Sequence, residues 1–371
     1  MMFGAALLFA LLPAATVPPT APQPMPAAPA APVLQQMLTW TPGEVRCDGI
    51  GVESPGMLRP LAEMTRRKAG QVESIAYRFA IDGTGRTRSI ARDAGEMSGS
   101  GEDIGPALAA SRFPAGTPRD NCSIDYAPKI EAIGSAPIAD LAAYSIFPTG
   151  TRLPKEGWDR FAALGNCREK PRPAPLLRAH PDFAKLEATP GVRAWSLVAY
   201  DTDAKGRPTG VRVAHGTGNG ELDAAAIKAV RKSRFTGGAR SGCLYPYWRA
   251  AGTIAAPERP DEVQLRPANA TCPTKVEWTT RPATHYPAAY RKRAIEGWAV
   301  VSFDTAPQGE IRNVKIIAAQ PSADFGRQAI GIVRSGRVVP SAQGASGCVE
   351  AVKFMMPVRD QAADDAEPVT G

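Results

Sequence analysis

Histidine is scarce in this sequence. It occurs 3 times in 371 residues, at His180, His215 and His285, and no His, Asp or Glu cluster has the spacing of a zinc site. His180 and His285 each lie 13 residues after a cysteine, which makes them matching positions in separate units, packing or capping near a Pro-containing turn. The cysteines never occur as C-x-x-C pairs. SGSG around Ser98 lacks the glycine spacing of a nucleophile elbow. The Gly-rich GTGNGELDAAAIKAV opens a helix but lacks the strand-helix-strand unit and distal acid of a dinucleotide site. The expectation is therefore no catalytic residue, no metal and no cofactor.

Long apolar runs are missing too. The opening MMFGAALLFALLP is broken by Pro13, well short of the roughly 20 residues of a spanning helix and close to a signal-peptide core. No Lys or Arg precedes it, and its cleavage site is ambiguous among Ala14, Ala15 and later alanines. No charge appears before Glu44. Residues 1–16 read as a signal peptide, so the chain is expected in the periplasm. Residues 17–42 read as a Pro/Ala linker of extended polyproline character, unable to bury a core. The net charge of +8 is spread over strand faces and helix ends, not gathered into an aromatic-interleaved stripe. Nucleic acid is excluded as a partner on that ground, and membrane contact is expected only if the N-terminal segment is retained.

The abundant information lies in spacing. Cys47, Cys122, Cys167, Cys243, Cys272 and Cys348 fall into successive pairs 75, 76 and 76 residues apart. The text between them agrees: SIAYRFAIDGTGRTRSIAR then EDIGPALAASRF, VRAWSLVAYDTDAKGRPTGVRVA then ELDAAAIKAVRKSRF, and a third such set near the C-terminus. Each reads as strand, turn, strand and helix. In the third helix Phe325, Ala329, Ile332 and Val333 form one apolar stripe. Asp82, Asp203 and Asp304 are expected at the three turns, each followed by a glycine. The Arg-Phe pair closing the helix recurs as Arg112-Phe113 and Arg234-Phe235, and drifts to Arg337-Val338. Three copies of one module follow, each closed by its own disulfide: Cys47–Cys122, Cys167–Cys243 and Cys272–Cys348. The alternative is six buried, reduced thiols. A closed loop of about 75 residues stabilises by at most roughly 4–5 kcal/mol in the chain-entropy model, and such bonds persist in an oxidising compartment.

The third copy, Tyr286 to Pro357, carries YPAAYRKRAIEG, the strand WAVVSFD, the turn APQG, the strand EIRNVKII and the basic-ended helix SADFGRQAIGIVRSG, closing near Pro340. This set resembles the C-terminal domain of the TonB family at Tyr286, Pro287, Gly297, Phe303, Asp304 and Gly309. The first two copies are more divergent. The resemblance implies an α+β fold: three tandem modules, each a small antiparallel three-stranded sheet with two helices on one face. The expected boundaries are module 1 at 43–133, a linker at 134–160, module 2 at 161–256, module 3 at 257–358 and a disordered acidic tail at 359–371. In the TonB family the last strand of the sheet takes up an extended peptide, the TonB box of a transporter, by strand addition. The matching positions are Val349, Glu350, Ala351, Val352, Lys353, Phe354 and Met355, with Lys353 an outward charge that limits self-pairing. The other reading of this edge is that a neighbouring module covers it or that it self-associates. The resemblance thus implies a noncatalytic periplasmic protein that binds a protein partner, such as a TonB-dependent outer-membrane transporter. A membrane-anchored transducer working with ExbB–ExbD is the second reading, although the apolar run lacks Ser and His. A periplasmic enzyme with a site between modules is the third.

Overall fold

The computed structural model describes residues 34–93 and 99–357. The expected signal peptide, most of the Pro/Ala linker and the acidic tail lie outside the described residues. All three disulfides join the pairs that the spacing predicts, Cys47–Cys122, Cys167–Cys243 and Cys272–Cys348. No described helix is long and apolar enough to cross a membrane.

The first disulfide-bounded region holds β1 (Gln36–Pro42), β2 (Val45–Cys47), β3 (Ile50–Val52), β4 (Glu63–Thr65), β5 (Ile75–Ile81), β6 (Thr87–Arg92), α1 (Ile104–Ala110) and β7 (Arg119–Ala132). They build one seven-stranded sheet. β7 is 14 residues long and uses both edges, pairing antiparallel with β5 on one and with β1 and β2 on the other. Two helices follow, α2 (Ile138–Ile146) and α3 (Lys155–Ala162).

The second region contains β8 (Pro175–Leu177), β9 (Ala194–Thr202), β10 (Pro208–Gly216), α4 (Gly220–Lys232), β11 (Arg234–Phe235) and β12 (Arg240–Arg249). The third contains β13 (Trp278–Thr280), α5 (Ala288–Lys292), β14 (Gly297–Thr305), β15 (Ile311–Gln320), α6 (Ala323–Arg334), β16 (Arg337–Val338) and β17 (Ala345–Phe354). The main sheets run β10-β9-β12 and β15-β14-β17. In each region the hairpin's first strand lies between its second strand and the strand that follows the helix.

Local chemistry sets these elements. The Asn219 side chain accepts from the Leu222 amide at 2.9 Å and caps α4; Ser322 does the same for α6 through the Asp324 amide. Such caps satisfy amides that the first helical turn leaves without partners. The stripes then dock: Leu222, Ala226, Ala229 and Val230 are buried on α4, and Phe325, Ala329, Ile332 and Val333 on α6.

The architecture is α+β with small antiparallel sheets, but three expectations need correction. Two helices per unit holds only for the third region; among the described residues the first has α1 alone and the second α4 alone beside a 3₁₀ turn at Phe183–Lys185. The linker expected over 17–42 stops short, because QMLTWTP is an apolar strand whose Met37, Leu38 and Trp40 are buried. The linker expected over 134–160 is also core. Leu141, Tyr144, Phe147, Leu153 and Phe161 cover the face of β9 that carries Trp195 and Leu197. That second cover explains why β9 is buried at nearly every position.

The turn aspartates also divide differently. The Asp82 amide donates to Arg86 O and the Asp203 amide to Arg207 O, but in the third hairpin the amide in that role belongs to Ala306, which donates to Glu310 O. Asp304 matches Asp201 instead: their Oδ1 atoms accept from the Gly347 and Gly242 amides, at 3.0 and 2.9 Å. The glycines do align. Gly85, Gly206 and Gly309 have φ of 80°, 70° and 87°. Each carbonyl accepts, at 3.0 Å, the amide of Phe113, Phe235 or Val338 respectively. A Cβ at any of them would fall 1.8–2.1 Å from that same residue's carbonyl oxygen. The recurring Arg-Phe and Arg-Val pairs therefore lie beyond the helices, pinned to the hairpin turns.

The first and third regions share one core. Leu38, Trp40, Tyr77, Ile104 and Leu108 pack into the same cluster as Tyr290, Val301, Phe325 and Phe354. At this junction Arg293 Nε and Nη2 donate to the Asp103 carboxylate at 2.7 and 2.5 Å. The guanidinium also reaches Gly191 O and Arg59 O, both at 3.2 Å. The two charged side chains are 4% and 6% exposed. Nearby, Arg193 lies 3.7 Å over the Phe147 ring, and burial lowers its guanidinium to about 10.

Two outcomes follow from these contacts. Arg293→Met strands a buried carboxylate and is expected to cost about 3–5 kcal/mol in urea unfolding, while Arg293→Met with Asp103→Leu recovers most of it. Gly206→Ala forces a Cβ against Phe235 O and is expected to cost ~1–3 kcal/mol, read as a lower thermal midpoint with the native disulfides intact.

Candidate peptide-binding edge

Among the described residues β17 pairs with β14 alone. Its alternation is set by burial on two sides. Cys348, Val352 and Phe354 face the core shared with α6, while Val349 and Ala351 pack with Trp298, Val300, Ala256 and Leu265 on the opposite face. Lys353 and Met355 are exposed, and Glu350 is half-buried.

The motif residues build and hold this strand. Tyr286 lies edge-on to Phe354 with ring centroids 5.7 Å apart, and its hydroxyl donates to Ile295 O at 2.5 Å. Pro287 stands at the N-cap of α5. Gly297 admits the Phe325 ring, since a Cβ there would come within 2.7 Å of it. Phe303 is buried against Trp278. Asp304 fixes the start of β17 through the Gly347 amide and accepts from Asn313 Nδ2 at 2.7 Å. Gly309 makes the turn.

The ends of the outer edge are engaged. Ser346 O accepts the Thr271 and Cys272 amides at 3.0 and 3.1 Å. Beyond the far end the Met356 amide donates to Glu296 Oε1 at 2.9 Å, and Tyr286 Oη reaches the inward-facing Phe354 O at 3.4 Å. Between those ends, among the described residues, no second strand pairs with the edge. Burial, then the nearby Glu262 carboxylate, raises the Glu350 carboxyl above the usual range, and Arg281 opposes them.

The three sheets meet their surroundings differently at this strand. Counted three residues on from each second cysteine stand Asp125, Pro246 and Ala351. Asp125 O accepts the Gly43 amide at 2.8 Å, and β1 continues along that edge, placing Pro42 opposite Tyr126 and Trp40 opposite Pro128. Pro246 sits opposite Leu197 of β9. Having no N–H, it must occupy a rung whose amide points away from β9, so the outer edge of β12 lacks a donor there. Cys243 pairs with Tyr200 and Cys348 with Phe303, so the phases agree. The backbone N–H and C=O of Ala351 therefore face outward.

The other polar candidates do not converge. His180 lies edge-on to Tyr247 in the second region, whereas His285 is an exposed neighbour of Tyr286 in the third. The Gly-rich stretch before α4 ends in the Asn219 cap. Among the described residues no group of three or more His, Cys, Asp and Glu side chains is placed to hold a metal ion. Sequence reasoning missed the Arg293–Asp103 pair and strand β1. Arg293 lies in the basic run RKR, where only its position before the apolar Ala294-Ile295 sets it apart. The alternation of QMLTWTP was available but hidden behind the Pro/Ala tract.

Glu350→Gln is expected to raise the thermal midpoint at neutral pH. A raised carboxyl destabilises the fold only where it must ionise, so the gain should vanish as pH falls below about 4, where the acid is neutral in both states.

Residues 282–359 match the family described as Gram-negative bacterial TonB protein C-terminal. Protein TonB of Escherichia coli (strain K12) is 36% identical over 75 residues, covering 20% of this chain and 31% of that protein. Protein TonB of Klebsiella pneumoniae is 33% identical over 86 residues, covering 23% and 35%. The chain thus spans about a third of the length of these curated relatives. A solution NMR structure of the Pseudomonas aeruginosa TonB CTD aligns at 20% identity with a TM-score of 0.22, covering 25% of this chain and 99% of that one. The last third of this chain thus contains a TonB C-terminal domain, at residues 282–359.

Proposed function

We propose that this is a noncatalytic periplasmic TonB-like protein whose β17 edge takes up an extended segment of a protein partner, in connection with TonB-dependent outer-membrane transport. The carrying observation is the contrast between equivalent strands. β7 already bears an added antiparallel strand from its own chain, whereas among the described residues no strand pairs with the outer edge of Val349–Met355, which has a donor and acceptor at Ala351. Strand addition draws affinity from main-chain hydrogen bonds and specificity from alternate side chains. Residues 43–133, 161–256 and 257–358 are read here as three copies of one module, supported by the shared strand order and the three hairpin glycines. Three disulfides favour an oxidising compartment, and the likeness to TonB supports an outer-membrane transporter as the partner class.

The test uses the intact oxidised chain and a synthetic TonB-box peptide from an outer-membrane transporter, with affinity read by calorimetry. Ala351→Pro removes one outward donor, as Pro246 does in β12, and leaves the ladder to β14 whole. It is expected to weaken binding at least about tenfold while the melting temperature stays within about 3 °C. Equal affinity for both proteins would refute the edge as the binding site.

A further inference from the structure

We infer that β7 carries a second peptide-acceptor edge, and that Gln36–Pro42 is its resident ligand. This rests on the reading of β17 above and extends it to a site filled from within the chain. β7 and β17 are the same element by three measures. Each follows its region's helix. Each pairs with the first strand of the hairpin, β5 or β14. Each carries the second cysteine of a disulfide spanning 75 or 76 residues. By count from that cysteine, Tyr126 to Pro128 correspond to Val352 to Phe354. Those are the β7 residues that Pro42, Thr41 and Trp40 lie opposite. The segment thus covers the equivalents of Val352 to Phe354, part of the stretch that no described strand pairs with on β17.

The occupant's chemistry is also on display. Leu38 and Trp40 enter the core shared by the first and third regions, and Met37 enters the cluster of α2 and α3 on the other face. Trp40 Nε1 donates to Glu63 Oε1 at 3.2 Å. At Gln36 to Leu38 the segment also pairs with β4 on its other side. The β7 site therefore takes an extended, uncharged peptide with large apolar residues on both faces, anchored by an indole. The three strands differ as acceptors: β7 is filled in cis, β12 is interrupted by Pro246, and β17 has no second strand among the described residues. One chain then binds one partner segment along this strand.

Hydrogen exchange on the intact oxidised chain without ligand tests residency. The Gly43 amide bond to Asp125 O sets the phase, so the Thr39, Thr41 and Ala127 amides lie in the β1–β7 ladder. They should exchange at least about a thousandfold more slowly than unstructured amides. Fast exchange at those amides would overturn the inference even if β17 binds its peptide normally. Equivalence is tested with the synthetic peptide QMLTWTPG. It should not bind Ala351→Pro, where both edges are closed. It should bind one equivalent in Thr41→Pro with Ala351→Pro, where the resident strand is loosened, provided near-ultraviolet circular dichroism shows a native fold. A folded double variant that takes up no peptide would refute equivalence. Should that variant not fold, the exchange rates decide alone. Two equivalents of transporter peptide on the unmodified chain would also sink the proposal, whereas none at all would count against the β17 reading.

Discussion

The assembly depends on one charge pair withdrawn from water. Asp103 enters from the start of α1, Arg293 from the end of α5, and the guanidinium also reaches carbonyls of Arg59 and Gly191. Two ions with so little exposure pay a desolvation cost that only good geometry and further hydrogen bonds offset. The Leu61 amide supplies another by donating to Asp103 at 2.7 Å. Such a pair adds little net stability over an apolar substitute, but it tolerates almost no displacement. Its effect is to fix three disulfide-closed regions in one arrangement instead of leaving them as beads on a string. Gly105 serves the same junction, since a Cβ there would meet Tyr290 Oη at 2.8 Å.

Around that junction a single local device recurs. A hairpin glycine with positive φ accepts the amide of the residue two beyond a helix-terminal serine, Ser111, Ser233 or Ser335 in the first two cases and one residue later in the third. Ser111 and Ser233 also accept amides from the segments that precede the hairpins, Leu58 and Ala179. Helix end, turn and entering chain are therefore tied at one spot. The carboxylate in the first turn shows how local the device is. Burial alone would raise Asp82, but hydrogen bonds from Thr84, the Arg86 amide and Arg88 outweigh it and hold the carboxyl at about 2.

Much of this was legible from the sequence where the signal was local or counted. Even cysteine spacing gave the three pairings, and the Phe325 to Val333 stripe gave α6, because periodicity follows directly from which face is buried. The candidate strand was legible by family resemblance at Val349 to Met355. What escaped reading depended on distant parts of the chain. QMLTWTP is a strand because β7 offers it an edge 84 to 96 positions downstream, and α2 and α3 are core because β9 needs a second cover. Asp304 was misplaced for a different reason. The third hairpin has the same spacing as the second, but its turn position carries Ala306 where the others carry Asp82 and Asp203, so matching by residue type picked Asp304 two positions earlier. Arg293 looked like a solvated charge, since nothing adjacent to it announces Asp103.

The disulfides have a consequence for how the native state is reached. Their order along the chain is first with second, third with fourth, fifth with sixth. A polypeptide that enters an oxidising compartment amino terminus first, and links each thiol to its predecessor as it emerges, arrives at the correct connectivity by default. Of the 15 ways to pair six cysteines, this is the one that needs no isomerase to rearrange it.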